Sequence, residues 1–292
     1  MTTPRQALRQ RIQSGPTFFM AGAHDALSAL VVEQSGFDGI FTTGFGISAS
    51  LLGRPDVELY TLTENVGVVR RITDLVTKPV FADADTGYGN VINVQRTVRE
   101  FEKAGVAALS LEDQFSPKRC PAAAANMPLI SAADAVAKIH AAVDARRDPD
   151  LLIVARTDAV DPSEAMDRAA QYAEAGADLI QPISRTYKTH AELVKLREVC
   201  GRRLSLQLMQ GTWMEALSRE QIESVAAFAT YPIVTLMTAL TAMQQNLAVL
   251  AARRTGQVDA MPCPQTTMPE FKKFIGFEAI EALQAHYEMG RR

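Results

Sequence analysis

Eight short apolar segments recur along the chain, and segments with helical periodicity lie between them. The apolar segments are apolar on both faces, which is typical of parallel strands covered by helices. They occupy residues 17–22, 39–44, 78–82, 107–111, 151–155, 178–182, 204–208 and 228–231. Eight such units in 292 residues favour a closed (β/α)₈ TIM-type barrel. An open, doubly wound sheet is the alternative, although neither a GxGxxG nor a GxxxxGK[ST] motif supports nucleotide binding.

The barrel is expected to form a single domain over residues 1–292, with residues 260–292 as a C-terminal helical extension. Residues 45–59 are interpreted as a long loop. Residues 233–251 are the most apolar window but are interrupted by Gln244, Gln245 and Asn246, so they predict a buried helix rather than a membrane span.

Composition narrows the class of partner. The net charge is −3, and no basic surplus indicates nucleic-acid binding. The three cysteines form no CxxC pair, which fits a reducing cytoplasm, and the N-terminus shows no signal-peptide pattern. The sequence therefore predicts a cytoplasmic protein that acts on a small molecule.

Two aspartates follow the third apolar segment. Asp83 and Asp85 are two residues apart, so on a strand they project from the same face. Two carboxylates so close repel unless a cation or a shared proton lies between them, and their oxygens suit a hard ion such as Mg²⁺. The alternative is a surface turn, in which aspartate and glycine are common.

Other polar residues end neighbouring strands. Glu112 and Asp113 follow the fourth segment and Arg156 follows the fifth. In a barrel these ends meet at the C-terminal face, where catalytic groups lie. The pattern predicts a metal site beside Arg156, which would bind a carboxylate or phosphonate through two hydrogen bonds. The alternative for Arg156 is a structural ion pair with one of the acids.

Two loops supply further candidates. Asp56 lies in a loop that can fold over the barrel mouth, and Lys118, Arg119 and Cys120 lie in a second loop. A thiol beside two cations can serve as an acid or a base. The alternative for Cys120 is an incidental, exposed loop thiol.

These motifs together resemble those of the isocitrate lyase/phosphoenolpyruvate mutase superfamily, over most of the chain. The matching segments are TGFGISAS (43–50), GRPD (53–56), DADTGYGN (83–90), LEDQ (111–114), PKRC (117–120) and ARTDA (155–159). Their order and spacing are most similar to the 2-methylisocitrate lyase and carboxyphosphonoenolpyruvate mutase branches. The resemblance implies a Mg²⁺-dependent barrel, with Mn²⁺ as a possible replacement, that acts on small 2-oxo or 2-hydroxy acids through an enolpyruvate-like intermediate.

The resemblance also implies roles for individual residues. Asp85 would be the closest metal ligand, and Asp83 and Glu112 would act largely through bound water. The substrate carboxylate would be held by Thr43, Gly44 and Phe45, with Arg156 opposite and Arg119 as a further contact. Asp56, Lys118 and Arg156 would take part in the chemistry, with Cys120 as proton donor. The protein would be a homotetramer that exchanges a C-terminal helix formed by residues 269–289.

Three departures from the lyase pattern leave the substrate open. Pro121 follows the cysteine where lyases have Gly-His. The sixth strand ends in QPISR (181–185), with Ile183 near the position of an acid, and the seventh ends in QLMQG (207–211), with Leu208 in place of a polar residue. A lyase that cleaves a C–C bond beside a 2-oxo or 2-hydroxy carboxylate is the first hypothesis. A C–P bond enzyme and a non-catalytic acid-binding homologue are the alternatives.

Overall fold

The computed structural model describes residues 3–120, 127–254, 258–259 and 261–288. Within them, eight parallel strands close into a barrel in chain order, β1 to β8, with β8 paired back to β1. The strands are β1 (Phe18–Ala23), β2 (Gly39–Thr42), β3 (Val80–Asp83), β4 (Ala108–Glu112), β5 (Leu152–Arg156), β6 (Leu179–Gln181), β7 (Leu204–Gln207) and β8 (Ala226–Tyr231). The predicted (β/α)₈ barrel is confirmed, and the open-sheet alternative is wrong.

Helices lie between the strands and continue after the last strand. They are α1 (Pro4–Ser14), α2 (Ala26–Glu33), α3 (Gly44–Leu52), α4 (Leu62–Thr73), α5 (Val91–Lys103), α6 (Ala132–Ala145), α7 (Pro162–Glu174), α8 (His190–Cys200), α9 (Arg219–Val225), α10 (Val234–Arg253), α11 (Met268–Phe274) and α12 (Phe277–Glu288). Many begin at a side-chain cap, as where the Thr61 hydroxyl accepts a hydrogen bond from the Glu64 N–H at the start of α4.

The barrel interior is filled by large side chains. Phe41, Phe81 and Phe228 pack there with tilted rings, whose centroids are 4.9 Å apart for Phe41 and Phe81 and 5.3 Å apart for Phe81 and Phe228. Leu8 and Ile12 of α1 belong to the same buried cluster and close its N-terminal end. The interior is therefore packed below the mouth, which leaves the C-terminal end as the place for a site.

The alternate strand positions pack outward against the helices. Leu204, Leu206 and Leu208 belong to the second buried cluster, together with Ile222 and Val225 of α9. Leu208 is only 8% exposed and shares the outward-facing parity of β7. Leu208, named above as a departure from the lyase pattern, therefore belongs to the outward-facing cluster, and the alternation along β7 directs Gln207 inward.

Two other predictions are corrected. Residues 45–59 are not all loop, since α3 occupies Gly44–Leu52, with the Thr43 hydroxyl as its N-cap and Gly53 at φ 61° after its end. The window that predicted a buried helix forms α10, in which none of the residues is buried. Among the described residues, α10 alone is long and apolar enough to cross a bilayer, a test that soluble proteins also pass.

The chain divides into two compact units, Met1–Leu236 and Met237–Arg292. The first contains the barrel. The second contains most of α10 together with α11 and α12, so it begins before residue 260, where the helical extension was expected to start.

Candidate active site

The end of β3 places two carboxylates inside the barrel mouth. Asp83 is 8% exposed, and Asp85 is fully buried. Asp85 has a left-handed backbone (φ 50°), which aspartate tolerates better than most residues. Its N–H donates to Asp83 Oδ1 at 3.1 Å, so the Asp83 side chain stabilises the turn that orients Asp85.

The N-terminus of α3 faces these acids. The Thr43 hydroxyl accepts a hydrogen bond from the Gly46 N–H, and the Gly44 N–H points at Asp83 Oδ2, 3.3 Å away. A Cβ on Gly44 would lie 2.6 Å from the Tyr60 hydroxyl and 3.0 Å from Asp83 Oδ2, so only glycine fits there. Helix N-termini attract anions, which makes the Gly44–Phe45 backbone a suitable cradle for a carboxylate.

Asp85 gathers partners from three segments. The hydroxyls of Tyr60 and Tyr88 each donate to its Oδ2 at 2.7 Å. The Lys118 ammonium lies 2.6 Å from its Oδ1 and 3.0 Å from Asp56 Oδ2. Lys118 is 3% exposed, so this ion-pair cluster is shielded from water.

Burial shifts the ionisation of several groups around Asp85. It raises the pKa of Asp56 to about 6, against the opposing pull of Lys118, and it also raises the pKa values of Asp83 and Glu112. Burial alone would lower the pKa of Lys118, but Asp85, Glu112 and Asp56 raise it well above its ordinary value. The carboxylates therefore carry a surplus of negative charge that favours a further cation or proton.

Arg156 ends β5 opposite these acids. Its Nε and a terminal nitrogen contact the two oxygens of Asp158 at 2.7 and 3.0 Å, and the other terminal nitrogen lies 3.0 Å from Glu112 Oε2. Burial alone would lower the pKa of Arg156, but Asp158 and Glu112 raise it, so the guanidinium is a fixed positive charge. The structure thus shows the ion pair that was the alternative interpretation, and binding of a substrate anion by Arg156 stays a prediction.

Several known proteins are similar to this chain over nearly its whole length. The family model described as phosphoenolpyruvate phosphomutase matches residues 8–251. The chain belongs to the isocitrate lyase/phosphoenolpyruvate mutase superfamily. It is 38% identical to 2,3-dimethylmalate lyase of Eubacterium barkeri over 290 residues, which cover 97% of this chain and 98% of that one. It is also 38% identical to 2-methylisocitrate lyase of Aeropyrum pernix over 292 residues, covering 97% and 90% of the two chains.

A solved structure of the same superfamily is also similar. A phosphonopyruvate hydrolase in complex with oxalate and Mg²⁺ has a TM-score of 0.85 and 31% identity, covering 98% of this chain and 99% of that one. The superfamily predicted from the motifs is confirmed, and so is the class of carbon–carbon lyase, which the dimethylmalate and methylisocitrate lyases represent.

The predicted site residues of this superfamily member fall into two groups. Those that the structure brings together at the mouth are Thr43, Gly44, Asp56, Asp83, Asp85, Glu112, Lys118 and Arg156. Phe45 is half-buried next to Gly44, and Arg119 has an exposed side chain. Cys120 is 9% exposed, so the alternative of an exposed thiol is wrong. Pro121 lies outside the described residues.

Asp113 occupies a different place from its neighbour Glu112. Its side chain receives hydrogen bonds from Thr157, Tyr172 and Arg168, on the helix side of the barrel. Its Oδ1 also accepts the Asp158 N–H at 2.9 Å. The expectation that Asp113 converges on the metal is wrong, since adjacent strand residues point to opposite faces.

Sequence reasoning missed several residues that orient the site. Tyr60 and Tyr88 orient Asp85, and Asp158 orients Arg156. Glu58 accepts hydrogen bonds from the Lys118 N–H and the Thr86 hydroxyl, which ties two loops together. Tyr88 and Asp158 lie inside the matched motifs. Tyr60 lies outside them, and no sequence pattern marks it as a site residue.

The donor set fits a hard divalent cation. Asp56 Oδ1 is buried and accepts no hydrogen bond in the described part of the chain, and Asp85 Oδ1 is buried with the Lys118 ammonium as its contact. Burial also raises the pKa values of Asp83 and Glu112. Within that part, no group of three or more acid, histidine or cysteine side chains is arranged to hold a metal ion. The assignment of Asp85 as the direct ligand, with Asp83 and Glu112 acting through water, stays a prediction.

Proposed function

We propose that the protein is a Mg²⁺-dependent lyase that cleaves a 2-hydroxy acid next to its carboxylate and releases a 2-oxo acid. The observation that carries this proposal is the buried cluster of Asp83, Asp85 and Glu112 opposite Arg156, at the mouth of a barrel of this superfamily. Mg²⁺, or Mn²⁺ in its place, would be held by Asp85, with Asp83 and Glu112 through water. When bound, it would polarise the oxygen on the carbon where the bond breaks.

The remaining steps belong to the chain's own residues. The N–H groups at the start of α3 would bind the substrate carboxylate, and Arg156 would bind an anionic group on the other side. Both are held by fixed partners, Thr43 for the helix start and Asp158 for the guanidinium. The site is therefore preorganised for charge that develops as the bond breaks.

Asp56 and Cys120 would move the protons. Asp56 Oδ1 is buried without a hydrogen-bond partner, and the raised pKa of about 6 suits a group that accepts the proton of the substrate hydroxyl. The C–C bond then breaks, and its electron pair passes to the departing carboxylic acid as an enolate. The Cys120 thiol would donate a proton to that carbon, while Lys118 keeps the proton-accepting Asp56 in place.

The residue next to Arg156 on the neighbouring strand favours a substrate with few carboxylates. Gln181 is the strand partner of Arg156, is 1% exposed, and has an amide oxygen without a hydrogen-bond partner among the described residues. The unpaired amide oxygen would accept a hydrogen bond from a substrate hydroxyl, and a neutral amide supplies no positive charge to pair with a further carboxylate. A 2-alkylmalate therefore fits this position better than a tricarboxylate such as 2-methylisocitrate.

A panel of substrates tests the proposal. The protein with Mg²⁺ is incubated with 2,3-dimethylmalate, other 2-alkylmalates, 2-methylisocitrate, oxaloacetate and phosphonopyruvate, and pyruvate, oxalate and phosphate are measured. Pyruvate from an alkylmalate without phosphate is the expected result. Phosphate released from phosphonopyruvate alone would replace the proposal with a C–P bond enzyme. Oxalate released from oxaloacetate would replace it with an enzyme that cleaves a different C–C bond. If no product is released from any substrate but oxalate binds tightly, the protein is a non-catalytic homologue.

The predicted quaternary structure is part of the same proposal. We infer a homotetramer, supported by an exposed apolar stripe on α12 formed by Phe277, Ile280, Leu283 and Tyr287, which are 43–70% exposed. Their spacing puts them on one side of the helix. The resemblance predicted a swapped helix over residues 269–289, of which Met289 lies outside the described residues. A cytoplasmic location is inferred from the absence of a CxxC pair among the three cysteines.

A further inference from the structure

Gln114 follows the site residue Glu112 and the outward-facing Asp113, and it has no exposed surface. Its backbone forms an antiparallel bridge with Leu129, and the next residue, Phe115, donates its N–H to the Pro128 carbonyl at 3.0 Å. Gln114 therefore stands where the two stems of the β4–α6 connection meet. The segment that leaves this point carries Lys118, Arg119 and Cys120.

The side-chain amide of Gln114 contacts three different parts of the site. Its Nε2 donates to Asp158 Oδ2 at 2.5 Å and lies 3.3 Å from Glu112 Oε1. Its Oε1 accepts the Arg119 N–H at 2.9 Å. Glu112 and Asp158 are the two carboxylates that contact Arg156, so one amide touches both of its partners and the loop segment as well.

Only a glutamine matches this set of partners. Two carboxylates require a donor, the Arg119 N–H requires an acceptor, and an amide offers both at a fixed separation. A glutamate of the same length would add a third carboxylate beside Glu112 and Asp158. The opposite amide orientation would place the oxygen against both acids, so the network fixes which atom is which.

We propose that Gln114 is a positioning residue that couples the Lys118–Cys120 segment to the orientation of Arg156. This inference rests on the proposed function for its catalytic consequence, but the coupling itself is a property of the chain. The backbone of Asp158 is held in place by the outward-facing Asp113, since the Asp158 N–H donates to Asp113 Oδ1. Gln114 thus connects the barrel wall to the loop segment, and loss of its amide removes the hydrogen bond that fixes the Arg119 backbone next to Cys120.

Gln114→Met tests the coupling, because methionine keeps the length of the side chain and removes all three hydrogen bonds. The readout is alkylation of Cys120 by iodoacetamide, followed by mass spectrometry, with Cys263 in the second unit as internal reference. Release of the Arg119 N–H is expected to raise the alkylation rate of Cys120 at least about fivefold, as local opening exposes the thiol. The rate at Cys263 should not change.

Gln171→Met is the matched control, since Gln171 is exposed on α7 and its amide nitrogen donates to the Asp167 carbonyl of the same helix at 3.2 Å. This variant should leave the alkylation rates of Cys120 and Cys263 unchanged. An unchanged Cys120 rate in a folded Gln114→Met protein overturns the proposal, whatever the substrate panel shows. If the panel yields a substrate, Gln114→Met should lower kcat/KM by about 10–100-fold, the usual effect of losing a group that orients site ligands.

Gln114→Asn separates positioning from a general loss of stability. Asparagine keeps the amide but is shorter by one methylene, so it can reach only part of the set of partners. Compared with Gln114→Met, it is expected to bring the alkylation rate and kcat partly back to the wild-type values. KM should remain above the wild-type value because Arg156 is still misaligned. Equal effects of Met and Asn on thermal stability alone, with kcat and KM unchanged, would contradict the positioning role.

Discussion

At the scale of single residues, Asp85 shows how the site depends on partners that are distant in the sequence. Tyr60 and Tyr88 fix one carboxylate oxygen, and Lys118 contacts the other. The backbone carbonyl of Asp85 also accepts the Glu112 N–H at 3.0 Å, which joins the ends of β3 and β4. A change at Asp85 therefore affects charge balance more than packing.

Asp85→Asn should abolish the proposed activity while the barrel stays folded. Asparagine keeps the shape but removes the charge that would hold the cation and that pairs with Lys118, so kcat/KM should fall by about 10³-fold or more. Steady-state kinetics and Mg²⁺ titration by calorimetry measure this. Asp144→Asn, an exposed position on α6, is the control. Unchanged Mg²⁺ affinity in Asp85→Asn would refute the metal assignment.

Gly44→Ala tests the tight approach of α3 to the acids. The added methyl would lie 2.6 Å from the Tyr60 hydroxyl and 3.1 Å from Asp85 Oδ1, so the helix start or the tyrosine must move. We expect about a 100-fold loss of kcat/KM, as displacements near 1 Å at a site can cause. Gly36→Ala is the control because a Cβ there meets nothing within 4 Å. Equal activity of the two variants would contradict the role of this contact.

At the scale of elements, α3 is the helix that sequence reasoning interpreted as a loop. Gly44 and Gly46 lower helix propensity by about 1 kcal/mol each relative to alanine, which concealed the helix. Both are required by neighbours, since a Cβ on Gly46 would meet Thr43 and His24 within 3 Å. The N-cap Thr43 and the left-handed Gly53 were the available signals, and they mark its two ends.

Thr43→Ala should weaken α3 and the carboxylate cradle together. Losing the cap of the Gly46 N–H costs about 1 kcal/mol of unfolding free energy. That loss corresponds to about 2–4 °C in Tm for a domain of this size. Differential scanning calorimetry and KM for the best substrate measure the two effects. Thr43→Ser retains the hydroxyl and should restore both, and a serine variant as impaired as the alanine variant would exclude capping as the cause.

At the scale of the whole molecule, apolar side chains remain exposed on the helices after the barrel. On α10 they include Met237, Leu240, Met243 and Leu247, which are 39–60% exposed. Their composition indicated burial, which is why the sequence predicted a buried helix there. Apolar side chains favour removal from water but do not specify which chain covers them.

Ile280→Glu on α12 is expected to dissociate the proposed tetramer. A charge in the middle of an apolar stripe is costly to bury between subunits, so the assembly should fall to a smaller oligomer in light scattering. Ala285→Glu adds the same charge on the opposite side of α12 and should leave the assembly intact. A wild-type protein that is monomeric at micromolar concentration would refute the tetramer.

The sequence by itself determined the barrel, the superfamily and most of the side chains at the mouth. Apolar segments on both faces require a covered parallel sheet, and acids such as Asp83 and Asp85 at strand ends point to one edge of it. The tertiary structure decided which neighbours of these residues face the site. Asp113 and Leu208 turn outward, whereas Gln181, Tyr60 and Gln114 contribute to the mouth. Gln114 lies in the LEDQ segment and Gln181 in QPISR, but the partners of Gln114, like those of Tyr60, come from distant parts of the chain. The physical reason is that these contacts form only when distant segments pack together, and the local sequence does not encode that packing.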